Sequence, residues 1–153
     1  AGDAFEAEFL GMAQALGRPV VPATSPGCRA RFCGSECGLS QRRFTHHARV
    51  EAAEEEALLL DAAFPAGRLT LGTLRWLDGA NCGLLADIVG DAGDELSLSD
   101  APAFPVEPGA RIELVDGCDH RFETCRDRFA NAHNFRGEPY LPGNDLLTRY
   151  PGA

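Results

Sequence analysis

Hydrophobic positions along this chain follow two different periods. In residues 4–16, Phe5, Phe9, Met12 and Leu16 recur at helical spacing, with Asp3 in the N-cap position and Gly17 where the helix should stop. The run RPVVPATSPG that follows is rich in Pro and small polar residues, cannot continue a helix, and reads as an extended linker. Farther on, the alternation becomes that of strands, expected near 48–60, 68–77, 83–90, 94–99 and 110–116. The turn signals FPAG, DGANCG, GDAGD and PVEPG separate them. Within the first strand, AEEEA has a short helix as its alternative reading. After Cys118, ETCRDRFANAHNF predicts a second helix with Phe122, Cys125 and Phe129 on one side, followed by a Gly/Pro-rich tail. The expected fold is mainly β, a small barrel or sandwich of about five strands with a helix at each end. It divides into an N-terminal helix and linker over 1–27 and a cysteine-clamped β domain with C-terminal helix and tail over 28–153.

Composition agrees with a globular domain. The chain has 153 residues, 44% of them hydrophobic and 24% charged, enough to bury one core. A formal net charge of −9 opposes binding to nucleic acid, which needs clustered basic residues. No stretch approaches the ~20 apolar residues that span a bilayer, so no membrane anchor is expected. The start Ala1-Gly2 carries no signal-peptide pattern and suits a piece of a longer protein.

The six cysteines are the chemistry to explain. A core of this size does not need disulfides, so reduced thiols around a metal are the better hypothesis. Residues 28–47 hold Cys28, Cys33 and Cys37, with glycines after two of them, as in a loop that wraps around something. Cys118 and Cys125 form a second group, 80 residues beyond Cys37. A metal joining both groups would close the β region into one loop and contribute about 4 kcal/mol, by analogy with a disulfide. Cys28-x4-Cys33 and Cys33-x3-Cys37 fall near zinc-knuckle spacing, whereas Cys118-x6-Cys125 is too wide for one. Iron–sulfur clusters accept wider spacing, and spacing alone does not choose between the two metals.

The run GCDHRFETCRDRFANAHNFRGEPYLPG, residues 117–143, resembles the C-terminal signature of phage minor tail protein L and its relatives, among them the hub proteins of gene transfer agents. SPGCRARFCGSECGLS resembles the same family's first cysteine pair, separated by eight residues as Cys28 and Cys37 are. The resemblance implies a [4Fe–4S] cluster held by Cys28, Cys37, Cys118 and Cys125, with zinc as the alternative metal. It also implies a non-enzymatic, structural component of a phage-like tail-tip hub or baseplate. Its expected partners are the distal tail protein and a tail fibre or central tip protein, in a homotrimeric hub. Such a part belongs to the virion or phage-like particle and assembles in the bacterial cytoplasm. An upstream hub domain is expected in longer family members.

Other features have competing readings. DGANCGLLADIV can be the nucleophile element of a cell-wall peptidase, with Cys82 partnered by His120 or His133, but it is also ordinary turn-and-strand sequence. His46, His47, His120, Arg29, Arg121 and Arg126 flank the cysteines and are candidates to hydrogen-bond cluster sulfurs. Glu51, Glu54, Glu55, Glu56 and Asp61 read as a solvated face.

Overall fold

The computed structural model of the chain describes residues 24–141, so the helix expected over 4–16 and the end of the tail lie outside the described residues. Six strands form: β1 (Thr45–Glu54), β2 (Ala57–Leu60), β3 (Thr73–Trp76), β4 (Leu85–Ala92), β5 (Glu95–Leu98) and β6 (Arg111–Val115). Every neighbouring pair is antiparallel, in the order β1-β2-β5-β4-β3-β6, and β6 returns to β1. Closure leaves no unpaired edge.

The two-residue alternation builds the interior. Leu58 and Leu60, Leu74 and Trp76, Leu96 and Leu98, and Ile112 and Leu114 point inward from four strands, each at most 2% exposed. Val50 and Ile88 join them from β1 and β4, and Leu69 plugs the barrel from the loop before β3. Burying each of these side chains contributes roughly 1.5–3 kcal/mol. The register shifts between Val50 and Ala52 and between Ile88 and Gly90. Bulges of this kind bend strands, which a barrel this small requires.

The barrel reading holds, with three adjustments. The strand expected over 48–60 is a hairpin, reversing at Glu55–Glu56 so that Glu54 faces Ala57. AEEEA is therefore neither helix nor continuous strand: Glu55 takes a positive φ of 48°. Burial of Leu58 and Leu60 beside Val50 selects the turn over local propensity. The strand expected over 68–77 shortens to Thr73–Trp76, because Asp91 captures the backbone N–H groups of Arg68 and Thr70 at 3.1 and 2.7 Å and curls that segment. The C-terminal helix α1 spans only Phe122–Asp127, followed by a 3₁₀ turn at Ala132–Asn134. Between them Ala130 adopts a positive φ of 50° and the Asn131 N–H donates to the Cys125 carbonyl at 2.9 Å, reversing the chain. Phe122 and Phe129 consequently join different aromatic groups rather than one helix face.

Register decides which loops meet. Thr45 and Thr73 both face Val115, so the start of β1, the start of β3 and the end of β6 share one end of the barrel. Both cysteine groups adjoin this end. The β3–β4 turn carrying Cys82 lies beyond the Arg75–Leu85 pair, at the opposite end. Where the chain leaves β6 it touches the loop before β3: a Cβ on Gly117 would stand 1.7 Å from the Thr70 carbonyl oxygen. Gly117→Ala should therefore lose at least the 1–3 kcal/mol typical of overpacking. Denaturant unfolding checks this, and wild-type stability in the variant would contradict the contact.

Candidate metal centre

Three segments cover this end of the barrel: the loop 25–38, the stretch 116–121, and the chain from α1 to residue 138. Backbone hydrogen bonds join them. The Cys28 N–H donates to the His120 carbonyl at 2.8 Å, Arg29 to Arg136 at 3.0 Å, and Glu138 to Ser25 at 2.8 Å. The contact is close enough that a Cβ on Gly137 would meet the Gly27 carbonyl oxygen at 2.4 Å. Phe32 from the first loop, Phe129 beyond α1 and Phe44 just before β1 pack in tilted and edge-to-face arrangements with centroids 4.9–5.5 Å apart.

Beneath the aromatic group lies Asp116, 3% exposed, immediately after β6. Its carboxylate accepts from His46 Nε2 at 2.7 Å and Arg68 Nε at 3.1 Å, and pairs with the Arg128 guanidinium at 3.2 Å. Arg128 also donates to the carbonyls of Gly117 and Arg68 at 3.2 and 2.7 Å. A buried carboxylate is tolerated only with such partners. Asp116→Ala should cost about 3 kcal/mol by stranding three donors that faced it. Thermal unfolding of the full chain measures it, and a loss below about 1 kcal/mol would mean that solvent replaces the carboxylate.

Five of the six thiols gather above this base. Cys37 and Cys125 are buried, and Cys28, Cys33 and Cys118 are partly exposed. Each pair supplies a sulfur within electrostatic reach of the other pair. Burial pushes the Cys125 thiol up to about 11, helped by Cys28, Cys118 and Cys37. Burial also raises Cys118, against the His120 backbone hydrogen bond and with Asp119, Cys28 and Cys37 adding to the rise. Cys33 is pushed up to about 11 by burial, then by Cys37, Cys118 and Asp116. Cys125 thus lies within electrostatic reach of Cys28, Cys37 and Cys118, and Cys33, at a positive φ of 58°, within reach of Cys37 and Cys118. Among the described residues, no three His, Cys, Asp or Glu side chains close up around the position of a single metal ion.

The flanking candidates separate. His120 meets the site, its Nδ1 lying 2.9 Å from the Cys28 carbonyl oxygen. His46 serves Asp116, and His47 lies 3.7 Å from Glu113 on the surface. Arg126 pairs with Asp127 at 2.6 Å, and the Arg121 N–H donates to Asp119 at 3.0 Å. Cys82 is exposed with its Sγ 3.2 Å from the Leu77 carbonyl oxygen. Glu51, Glu54, Glu55, Glu56 and Asp61 are exposed on and beside the β1–β2 hairpin.

Sequence reasoning missed Asp116, Asn131 and Glu138. Asn131, 3% exposed, donates its side-chain amide to the Cys37 carbonyl at 2.8 Å. Glu138 clamps the termini of the site together, accepting from both Arg29 guanidinium nitrogens at 2.8 and 2.9 Å and from the Ser25 N–H at 2.9 Å. The one available signal was that all three lie in or beside the cysteine-bearing C-terminal run.

The Arg29 guanidinium and then the Ser25 N–H hold the Glu138 carboxyl down to about 2, from an ordinary 4.5. Ionised Glu138 is therefore favoured in the folded chain. Its contribution is present above pH 4.5 and lost as pH falls toward 2. Both side chains are more than a third exposed, so salt weakens the clamp. Hydrogen exchange at the Ser25–Arg29 backbone should rise relative to Glu138→Gln protein's constant rate over this window, after correction for intrinsic rates. Parallel profiles in the two proteins would remove Glu138 from the clamp.

Comparison with known proteins follows the same two halves. Residues 67–145 match the family model described as "Phage conserved hypothetical protein BR0599", which includes Cys118 and Cys125. Residues 1–40 match "Baseplate hub protein, N-terminal attachment domain", which includes Cys28 and Cys37. A chain of the solved "Virion of native gene transfer agent (GTA) particle" is 30% identical, with a TM-score of 0.75 over 93% of this chain. This chain spans about half of that one, 52% of its length. No curated protein matches.

Proposed function

The chain belongs to the phage family of the conserved hypothetical protein BR0599, and we propose that it is a structural module of a phage-like tail-tip hub or baseplate, clamped by a [4Fe–4S] cluster on Cys28, Cys37, Cys118 and Cys125. The likeness to a gene transfer agent virion chain over 93% of this chain supports its place in the particle. The match of residues 1–40 to a baseplate-hub attachment domain points the same way. On this reading its partners are other tail proteins, and the hub is a homotrimer, as the resemblance to tail hubs implies.

One observation carries the cluster: two cysteine pairs 80 residues apart in sequence converge over one end of a closed barrel. The donor set fits the group, because four thiolates satisfy an iron–sulfur cluster and these four sulfurs lie within electrostatic reach across the two pairs. Zinc needs its four donors within about 2.3 Å of one point. A cluster takes each ligand at a separate corner and tolerates the wide sequence spacing of these cysteines. Cys28, in electrostatic reach of both Cys125 and Cys118, completes the set in preference to Cys33, as its eight-residue separation from Cys37 and the family resemblance imply. When bound, the cluster supplies a covalent cross-link of four strong iron–thiolate bonds. The residues around it do the rest: His120 holds Cys28 through its backbone carbonyl, and Asp116 fixes the base on which Cys118 stands.

Iron and acid-labile sulfide measured on anaerobically prepared protein test the cofactor. Cys28→Ser, Cys37→Ser, Cys118→Ser and Cys125→Ser should each lose the visible charge-transfer absorption, and Cys82→Ser should keep it. Zinc without sulfide, or bleaching in Cys82→Ser, would overturn the assignment. Particles assembled with the Cys118→Ser chain should lack intact tail tips by electron microscopy. Normal tips on such particles would overturn the structural role.

A further inference from the structure

Resting on that cluster reading, we propose that Asn131 is a positioning residue for the cluster, holding Cys37 by its side chain and Cys125 by its backbone so that one buried amide sets the lifetime and potential of the site. Asn131 Nδ2 lies 2.8 Å from the Cys37 carbonyl oxygen and 3.6 Å from its Sγ. With two hydrogens, this nitrogen can serve both acceptors. The Asn131 backbone meanwhile donates to the Cys125 carbonyl at 2.9 Å, a tie that ligation leaves intact. The Cys125 thiol donates to the Asn131 carbonyl at 3.4 Å, a contact that ends when the sulfur is ligated as thiolate.

The amide can point only one way. Its Oδ1 accepts from Asn134 Nδ2 at 2.9 Å, so a flip would oppose two nitrogens there and two oxygens at Cys37. Cys37 and Cys125 come from opposite sides of the barrel sequence, and Asn131 contacts both directly. It is nearly inaccessible to water, which leaves its N–H no competing acceptor. A metal-bound thiolate is a stronger acceptor than a thiol, so the N–H···S contact strengthens with loading. Hydrogen bonds to ligand sulfur draw electron density from the cluster and raise its reduction potential.

The test uses the full chain reconstituted anaerobically with iron and sulfide. Readouts are iron and sulfide content, the decay of visible absorption under chelator, and the reduction potential. Asn131→Leu should lose the cluster about tenfold faster or more, with a more negative potential. Asn134→Ala leaves Asn131 in place but frees its amide, and should fall between wild type and Asn131→Leu in both readouts. If Asn131→Leu does not fold, Asn134→Ala decides: wild-type lifetime and potential in it would overturn the proposal. Wild-type protein that takes up no iron and sulfide would bring down the cluster reading and this inference together. Wild-type protein that loads, beside two variants indistinguishable from it, would bring down this inference alone.

Discussion

The end of the barrel is organised by one buried carboxylate. Asp116 follows the last strand directly, and its side chain is 2% exposed. Desolvating a carboxylate costs several kcal/mol, so the position persists only while its partners surround it. Those partners come from different places: His46 near the start of β1, Arg68 from the loop before β3, and Arg128 just beyond α1. The Asp116 N–H adds a fourth tie, to the Phe44 carbonyl at 2.9 Å. Because Arg128 must reach Asp116, α1 cannot swing away, and Cys125 and Asn131 are set where they can meet Cys37.

The barrel and its cover therefore stand on different physics. The barrel has an uninterrupted interior of aliphatic side chains and Trp76, which closes through hydrophobic burial. The cover has three packed phenylalanines, an ion-pair base, a surface clamp between Arg29 and Glu138, and close backbone contacts at Gly117 and Gly137. Much of it is polar, directional and partly open to water. The proposed cross-link through its cysteines would act where hydrophobic stabilisation is thinnest.

Legibility followed the same division. Strands with clean alternation, such as ELSL in β5 and RIELV in β6, were readable because the pattern and the burial agree. The β1–β2 hairpin was not, since Glu55-Glu56 has no turn chemistry and the reversal comes from burying Leu58 and Leu60 together with Val50. The long C-terminal helix failed for a similar reason: propensity favours its continuation, but the tertiary hydrogen bonds of Asn131 stop it. Both cysteine pairs could be named from their motifs. That they meet depended on β1 and β6 being neighbours in a closed barrel, which no local pattern encodes. Asp116 was invisible because nothing in the run LVDG marks that aspartate as buried.

The position of the cysteines bears on whether the proposed cluster is a cross-link or a reagent. Ser25 and Glu138 exchange hydrogen bonds, so the chain enters and leaves the described fold at one place, beside the sulfurs. A pull on either end of the fold reaches the seam between residues 25–29 and 136–138 before it reaches any strand. The Arg29–Arg136 and Glu138–Ser25 backbone hydrogen bonds, the Ser25 N–H to the Glu138 carboxylate and the exposed Arg29–Glu138 ion pair hold that seam, and such contacts open locally far below the free energy of global unfolding. Cys28 stands within the seam, with its Sγ 3.4 Å from the Arg136 N–H, while Cys37 and Cys125 are tied to Asn131 and Cys118 follows Asp116 by two residues. A bond network joining those four sulfurs would carry load from the seam to the base and spare the barrel. Ferredoxin-type clusters draw most of their ligands from one tight run, whereas these cysteines are divided across 80 residues, which suits the proposed cross-link better than an electron carrier.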